Sequence, residues 1–243
     1  MKIIILSVLC AVSLSVTAQK AQNKKSKKED YMPLMTRGIG VSFVKFDGLK
    51  SRLATYPQYA RLRDHVWTIS AGSMHVMNNF VSQMTITAGA GSSGDWDKKS
   101  SSMRILGAGL DFGYDVIPSD MIMLYPMVGI GAETYHAILR KDASFVDFND
   151  VANSPTVQNN IRSVKFTNSF FNYRLGLGLA LKSPKGNGTI GIQGGYVASF
   201  NEQGWKSAEA QTLNGSPSDR VRRWAVSLVF TGGGMMGMGM AKK

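Results

Sequence analysis

Between Leu106 and Ala132 the chain swings, residue by residue, between bulky apolar side chains and almost none. In a first arm Leu106, Ala108, Leu110, Phe112 and Tyr114 alternate with Gly107, Gly109, Asp111 and Gly113. In a second arm Leu124, Val128, Ile130 and Ala132 alternate with Met127, Gly129, Gly131 and Glu133. A period of two sustained this long defines strands with two unlike faces. A soluble sandwich would turn the bulky face inward and cover the other face with polar side chains. Glycine and a few carboxylates cannot provide that cover. The inverse arrangement fits, with the bulky face against lipid and the glycine face lining a narrow lumen.

Six further segments carry the same alternation. They are Gly38 to Phe46, Val66 to Met77, Phe80 to Gly91, Phe166 to Lys182, Thr189 to Phe200 and Arg222 to Phe230. The fourth of these is the cleanest: Phe171, Tyr173, Leu175, Leu177, Leu179 and Leu181 oppose Asn172, Arg174, Gly176, Gly178 and Ala180. Together with the central hairpin they make eight strands. The links alternate strictly between short and long. Asn78-Asn79, Ile117 to Asp120 and Ser183 to Asn187 are short and rich in turn formers, whereas Asp47 to His65, Ser92 to Ser102, Arg140 to Lys165 and Asn201 to Val221 are long and polar. This predicts an all-β fold, an eight-stranded antiparallel up-and-down transmembrane barrel over residues 38–230. An even strand count puts both termini on the turn side, which for such a barrel is the periplasm.

The ends of the chain agree with export. Lys2, an apolar run from Ile3 and the small residues of Val16-Thr17-Ala18 describe a signal peptide over residues 1–18. The run is shorter than the roughly 20 residues of a spanning helix. Cys10 is preceded by the large Leu9, unlike a lipoprotein box. Removing the signal removes this one cysteine, and with it disulfides, thiolate metal sites and a cysteine nucleophile. Residues 19–37, with Lys24-Lys25 and Lys27-Lys28, read as a basic, disordered periplasmic lead-in. Residues 231–243 form a Gly/Met-rich tail; Met235, Met236, Met238 and Met240 are too thin a set to call for copper, so no metal and no cofactor is expected. The net charge is +12. With an exported address its counter-charge is lipid or lipopolysaccharide phosphate rather than nucleic acid.

The alternation also sorts the aromatics into two girdles. Phe43, Trp67, Phe171, Tyr173, Phe200 and Trp224 fall near the loop-side rim, and Phe80, Phe112, Tyr114 and Phe230 near the turn-side rim. A soluble lipocalin-like barrel is the competing architecture; it would hold these bulky residues inside a ligand cavity. Export signal, eight alternating strands, short inner turns, long outer loops and paired aromatic rims resemble the small outer-membrane barrels of the OmpA/OmpX type. The resemblance spans Gly38 to Phe230 and rests on architecture, not on a diagnostic motif. It implies an outer-membrane location, with outer-membrane lipid and lipopolysaccharide as surroundings. Such barrels end on an aromatic; Phe230 is the equivalent here, although thirteen residues follow it.

Two groups of residues are candidates for function. Glu133, Arg174, Asp111, Arg223, Gln193 and Gln83 all face the lumen, where opposite charges must pair because an unpaired buried charge is costly. Glu133 and Arg174, on adjacent strands, are the expected pair, forming a plug or lining a narrow ion or solute pore. In the loops Tyr56, Tyr59, Trp96, Lys98 and Lys99 mix aromatics with cations, a composition suited to envelope partners or to lipopolysaccharide phosphates. A lipid-A-modifying enzyme would need His136 to act with Glu133 or Ser144, and no third orienting group is apparent. The expectation is therefore a non-enzymatic barrel with a structural, adhesive or assembly role.

Overall fold

The computed structural model describes residues 34–77, 79–95, 98–117, 119–183 and 188–233. Its eight long strands are β1 (Leu34–Lys45), β2 (His65–Met77), β3 (Phe80–Gly94), β4 (Ser100–Tyr114), β5 (Ile122–Arg140), β6 (Val164–Lys182), β7 (Gly188–Ser199) and β8 (Arg222–Gly233). Each pairs antiparallel with the next, and β8 returns to pair with β1, so the sheet closes. The architecture is the expected up-and-down barrel. Its seam runs Leu34 opposite Gly233 through Lys45 opposite Arg222. β1 therefore begins at Leu34, and the four residues from Leu34 to Arg37, assigned from sequence to the lead-in, belong to the wall. β8 likewise continues past Phe230 to Gly233. The signal peptide, the rest of the lead-in, the methionines of the tail, Asn78, Pro118 and Trp96 lie outside the described residues.

The orientation of the faces is as the alternation requires. Trp67 is 65% exposed, Ile130 59% and Leu177 51%, all on the outside. The ten aromatics of the two expected girdles are exposed as well, apart from Tyr173 at the margin with 36%. Asp111, Glu133, Gln83 and Arg223 are buried in the interior. A closed ladder pairs every central backbone group, which is what a chain crossing hydrocarbon needs.

Polarity inverts toward the loop end. On β4, Leu106 still faces out, but beyond it Ile105 and Met103 are buried inside while Arg104 is exposed outside. On β5, Tyr135, Ala137 and Leu139 are buried inside and His136 is exposed outside. On β6, Phe170 is buried and Ser169 exposed. β5 and β6 are each 19 residues long, whereas about 9–11 tilted residues cross a bilayer. The inversion marks where the wall leaves hydrocarbon and becomes an ordinary water-facing protein with an apolar inside. The wall is also uneven in height. β1, β7 and β8 have 12 residues each, and the stretch Gln203–Asp219 folds into the low side. There Lys206–Ser207 pairs with the projecting part of β6, and Gln203–Gly204 pairs with Ser218–Asp219.

The turn end is tied by one carboxylate. Buried Asp115 accepts from the backbone N–H of Leu124 at 3.1 Å and from Lys182 Nζ at 2.9 Å. Asn79 takes the left-handed backbone (φ 68°) that a two-residue hairpin turn demands.

Candidate functional site

The lumen carries two ion pairs at different heights. Arg174 and Asp111 pair, Nε to Oδ1, at 3.1 Å. In the ladder both stand beside Gly129, Asp111 on β4 and Arg174 on β6, so the missing side chain lets them meet across β5. Glu133 pairs with Arg223, and the Tyr135 hydroxyl donates to the same carboxylate at 2.5 Å. Arg223 also donates to Ser42 Oγ at 2.9 Å. The expected Glu133–Arg174 pair does not form. Arg174 stands opposite Gly129 and Glu133 opposite Phe170, four residues further along the strand. That separates them by roughly 13 Å at about 3.3 Å per residue. The amides form their own chain: Gln193 donates to Gln83 Oε1 at 2.9 Å and to the Tyr125 hydroxyl at 2.8 Å, and Gln83 donates to Thr85 at 3.0 Å. All six lumen residues singled out from the sequence thus form two tiers, Asp111–Arg174 with the two glutamines toward the turns and Glu133–Arg223 toward the loops. Around them remains a cavity of about 80 Å³ lined in part by Thr68, Ser70, Asp111 and Arg174. That is space for a few water molecules.

Apolar clusters lie on both sides of these polar residues. Toward the turns Met74, Val81, Met123, Tyr125 and Ala180 pack together, with Met127 against them. Toward the loops lies a larger core containing Phe46, Leu49, Val66, Ile105, Tyr135, Phe170 and Trp205. Phe46 is its centre: its ring meets Tyr135 edge-on at 4.8 Å and Trp205 edge-on at 5.2 Å. Sequence reading expected a lumen closed by polar groups and missed this core. The signal for it was present in the adjacent apolar pair Ile105-Leu106, which marks the change of inward face.

The loop-end core is roofed by a helix, α1 (Asp47–Ala54), whose Leu49 is buried. Its N-terminus is capped from the far end of the chain. Asp219 accepts from the N–H groups of Gly48 and Leu49 at 2.8 and 2.9 Å, and from Trp205 Nε1 at 2.8 Å. A carboxylate at the positive end of a helix satisfies orphan donors and meets a favourable dipole. Two loops distant in sequence are thereby locked into one lid.

The loop residues singled out from the sequence divide. Tyr59 packs against the loop-end core, and Tyr56 is exposed on the same loop. Lys99 Nζ donates to the Pro57 carbonyl at 2.9 Å, binding the second loop to the first. Lys98 is exposed, its N–H held by the Asp95 carbonyl at 3.2 Å. Tyr56, Tyr59 and Lys99 line one open cleft of about 750 Å³ with Lys50 and Arg61. His136 projects outward from β5 whereas Glu133 projects inward, so the wall separates them. Ser144 instead hydrogen-bonds to Asp142.

The sequence matches no protein-family model and no curated protein. Among solved structures the barrel is similar to Ail, the attachment invasion locus protein of Yersinia pestis, at 12% identity and TM-score 0.44, covering 83% of this chain and 98% of that one. It is similar to Neisserial surface protein A at 9% and 0.45, covering 83% and 97%. OprG from Pseudomonas aeruginosa gives 14% and 0.45, covering 83% and 95%. At these identities no residue's role carries over. The resemblance to small outer-membrane barrels holds on the chain's own closed, apolar-walled, eight-stranded sheet.

Proposed function

We propose that this chain is a non-enzymatic outer-membrane barrel with a shut lumen, serving through its loop-end surface in a structural, adhesive or assembly role. The observation that carries this reading is the position of the ion pairs between two apolar clusters, one around Tyr125 and one around Phe46. An ion entering from either side must cross packed side chains before it meets Asp111 or Glu133. Both strand termini of the seam, Leu34 and Gly233, lie at the turn end, which supports termini in the periplasm and long loops outside. Lipopolysaccharide is the expected surrounding, and other envelope proteins the expected partners of the lid. Planar-bilayer recording tests the reading: the purified protein is expected to give no steady conductance. A reproducible unitary conductance from the wild type would overturn it in favour of a narrow pore.

A further inference from the structure

We infer that the outward wall just beyond the loop-side aromatic girdle binds the phosphate groups of a phosphorylated lipid. The inference rests on the membrane reading above and adds a site to it. Because outward positions recur every second residue along a strand, the residue two places beyond an outward aromatic faces out where the strand continues. On β1 this is Lys45, beyond Phe43; on β8 it is Arg222, beyond Trp224. On β2 it is His65, beyond Trp67, with Arg63 following, and on β4 Arg104 stands two beyond Leu106. Lys45, Arg222, Arg63 and Arg104 are all exposed.

Two features separate this collar from an ordinary solvated surface. Lys45 and Arg222 stand directly opposite each other in the seam ladder, an arrangement of like charges that repels unless an anion lies between them. Among the described residues none of these four cations has a carboxylate partner, although Arg174, Arg223 and Lys182 inside the barrel all do. These four cations carry no ion pair of their own among the described residues, whereas Arg220, two places beyond Arg222, pairs with Glu202, two places beyond Phe200, at 3.2 Å.

One part of it is shaped as a slot. Arg63, His65 and Trp67 form one side and Ser102 and Arg104 the other, over a floor of Ala90, Gly91 and Ser92, enclosing about 280 Å³. Ala90 lies in register between Trp67 and Arg104, and its small side chain opens the slot. Below, the floor continues into the apolar wall of Ala88 and Ile86. A guanidinium on either side suits bidentate grip of a phosphate, and the apolar run beneath suits the acyl chains of the same molecule. Tryptophans mark the hydrocarbon edge, and one strand repeat beyond it, about 7 Å, is the level of lipid phosphates. The occupant is therefore a lipid headgroup rather than a soluble anion.

The test compares the full chain with Lys45→Gln/Arg222→Gln and Arg63→Gln/Arg104→Gln in detergent, reading bound lipid by native mass spectrometry with diphosphorylated or dephosphorylated lipid A as probe. The wild type is expected to prefer the diphosphorylated form, and each double variant to bind it roughly tenfold or more weakly. Millimolar inorganic phosphate is expected to leave the lipid bound. Equal binding by wild type and variants, indifference to the lipid's phosphates, or displacement by inorganic phosphate would each overturn the site. Insertion of all three proteins into phosphatidylcholine vesicles, followed by β-sheet circular dichroism and heat-modifiable gel mobility, separates the two levels. A wild type that does not insert sinks the membrane reading, whereas proteins that insert but ignore phosphate sink the collar alone.

Discussion

Glu133 on β5 and Arg223 on β8 lie 90 residues apart in the chain and meet across the lumen rather than along any ladder, each almost wholly buried. The Tyr135 hydroxyl donates to Glu133 and Ser42 accepts from Arg223, while the buried Arg223 Nε has no hydrogen-bond partner among the described residues. Removing one partner leaves an uncompensated buried charge. Arg223→Met or Glu133→Gln alone is expected to destabilise the barrel by about 3–5 kcal/mol, measured by urea unfolding of vesicle-inserted protein. The double variant is expected to cost clearly less than the sum, because it removes both charges together. Additive losses would show that the pair is not coupled.

The lid should loosen without the barrel. Asp219→Ala removes the acceptor shared by Gly48, Leu49 and Trp205. Leaving buried donors unsatisfied costs about 1–3 kcal/mol. Trp205 emission, isolated by difference against a Trp205→Phe background, is expected to shift to the red, and protease is expected to cut near α1. Heat-modifiable mobility of the barrel should stay unchanged. A variant that loses that mobility would place Asp219 in the barrel's own stability.

The height of the polarity inversion can be read by one substitution at two places on β5. Ile130 and His136 both face outward, on opposite sides of the change. Ile130→Arg is expected to reduce insertion stability by about 2–4 kcal/mol, and His136→Arg by about 0–1 kcal/mol. Similar losses at both positions would put the hydrocarbon edge higher on the wall than Leu106 indicates.

A local pH response belongs to the loop after β5. The Asp142 carboxylate accepts from Ser144 Oγ at 2.6 Å and from the Ser144 N–H at 2.9 Å. These bonds, helped by Lys98 and Lys99, hold its pKa below the ordinary carboxylate value. A depressed carboxylate supports the folded turn at neutral pH and loses that support as pH falls through its lowered pKa. Ser144→Ala is expected to move the titration upward toward the usual aspartate range, followed by NMR chemical shift. An unmoved titration would show that the serine is not the cause.

The wall was legible in the sequence because a strand's two faces are a local property. Leu106 to Tyr114 against Gly107 to Gly113 already states which side meets lipid. Lumen pairing was not legible. Arg223 reaches Glu133 from β8 to β5 across the interior, and that proximity depends on barrel closure, which no pair of neighbouring strands records. The loop-end core escaped for a related reason. Leu49 and Trp205 are isolated apolar residues in polar loops, Phe46 reads as the end of the first strand, and only the lid brings all three onto Tyr135 and Phe170. The strand ends that complete it read as a fault in the alternation until one recognises that the surroundings of the wall have changed from lipid to water.

One loop stands apart from the lid. Between β5 and β6 the chain forms two short helices, α2 (Phe148–Asn153) and α3 (Pro155–Ile161), and neither contributes a buried residue. Phe145 and Phe148 point into solvent, 82% and 81% exposed. Foreign sequence placed here would ride on the tallest part of the wall at no expense to the fold. Changes of length and sequence in this loop therefore meet little structural resistance, while the packing of the wall and core beneath is left as it is.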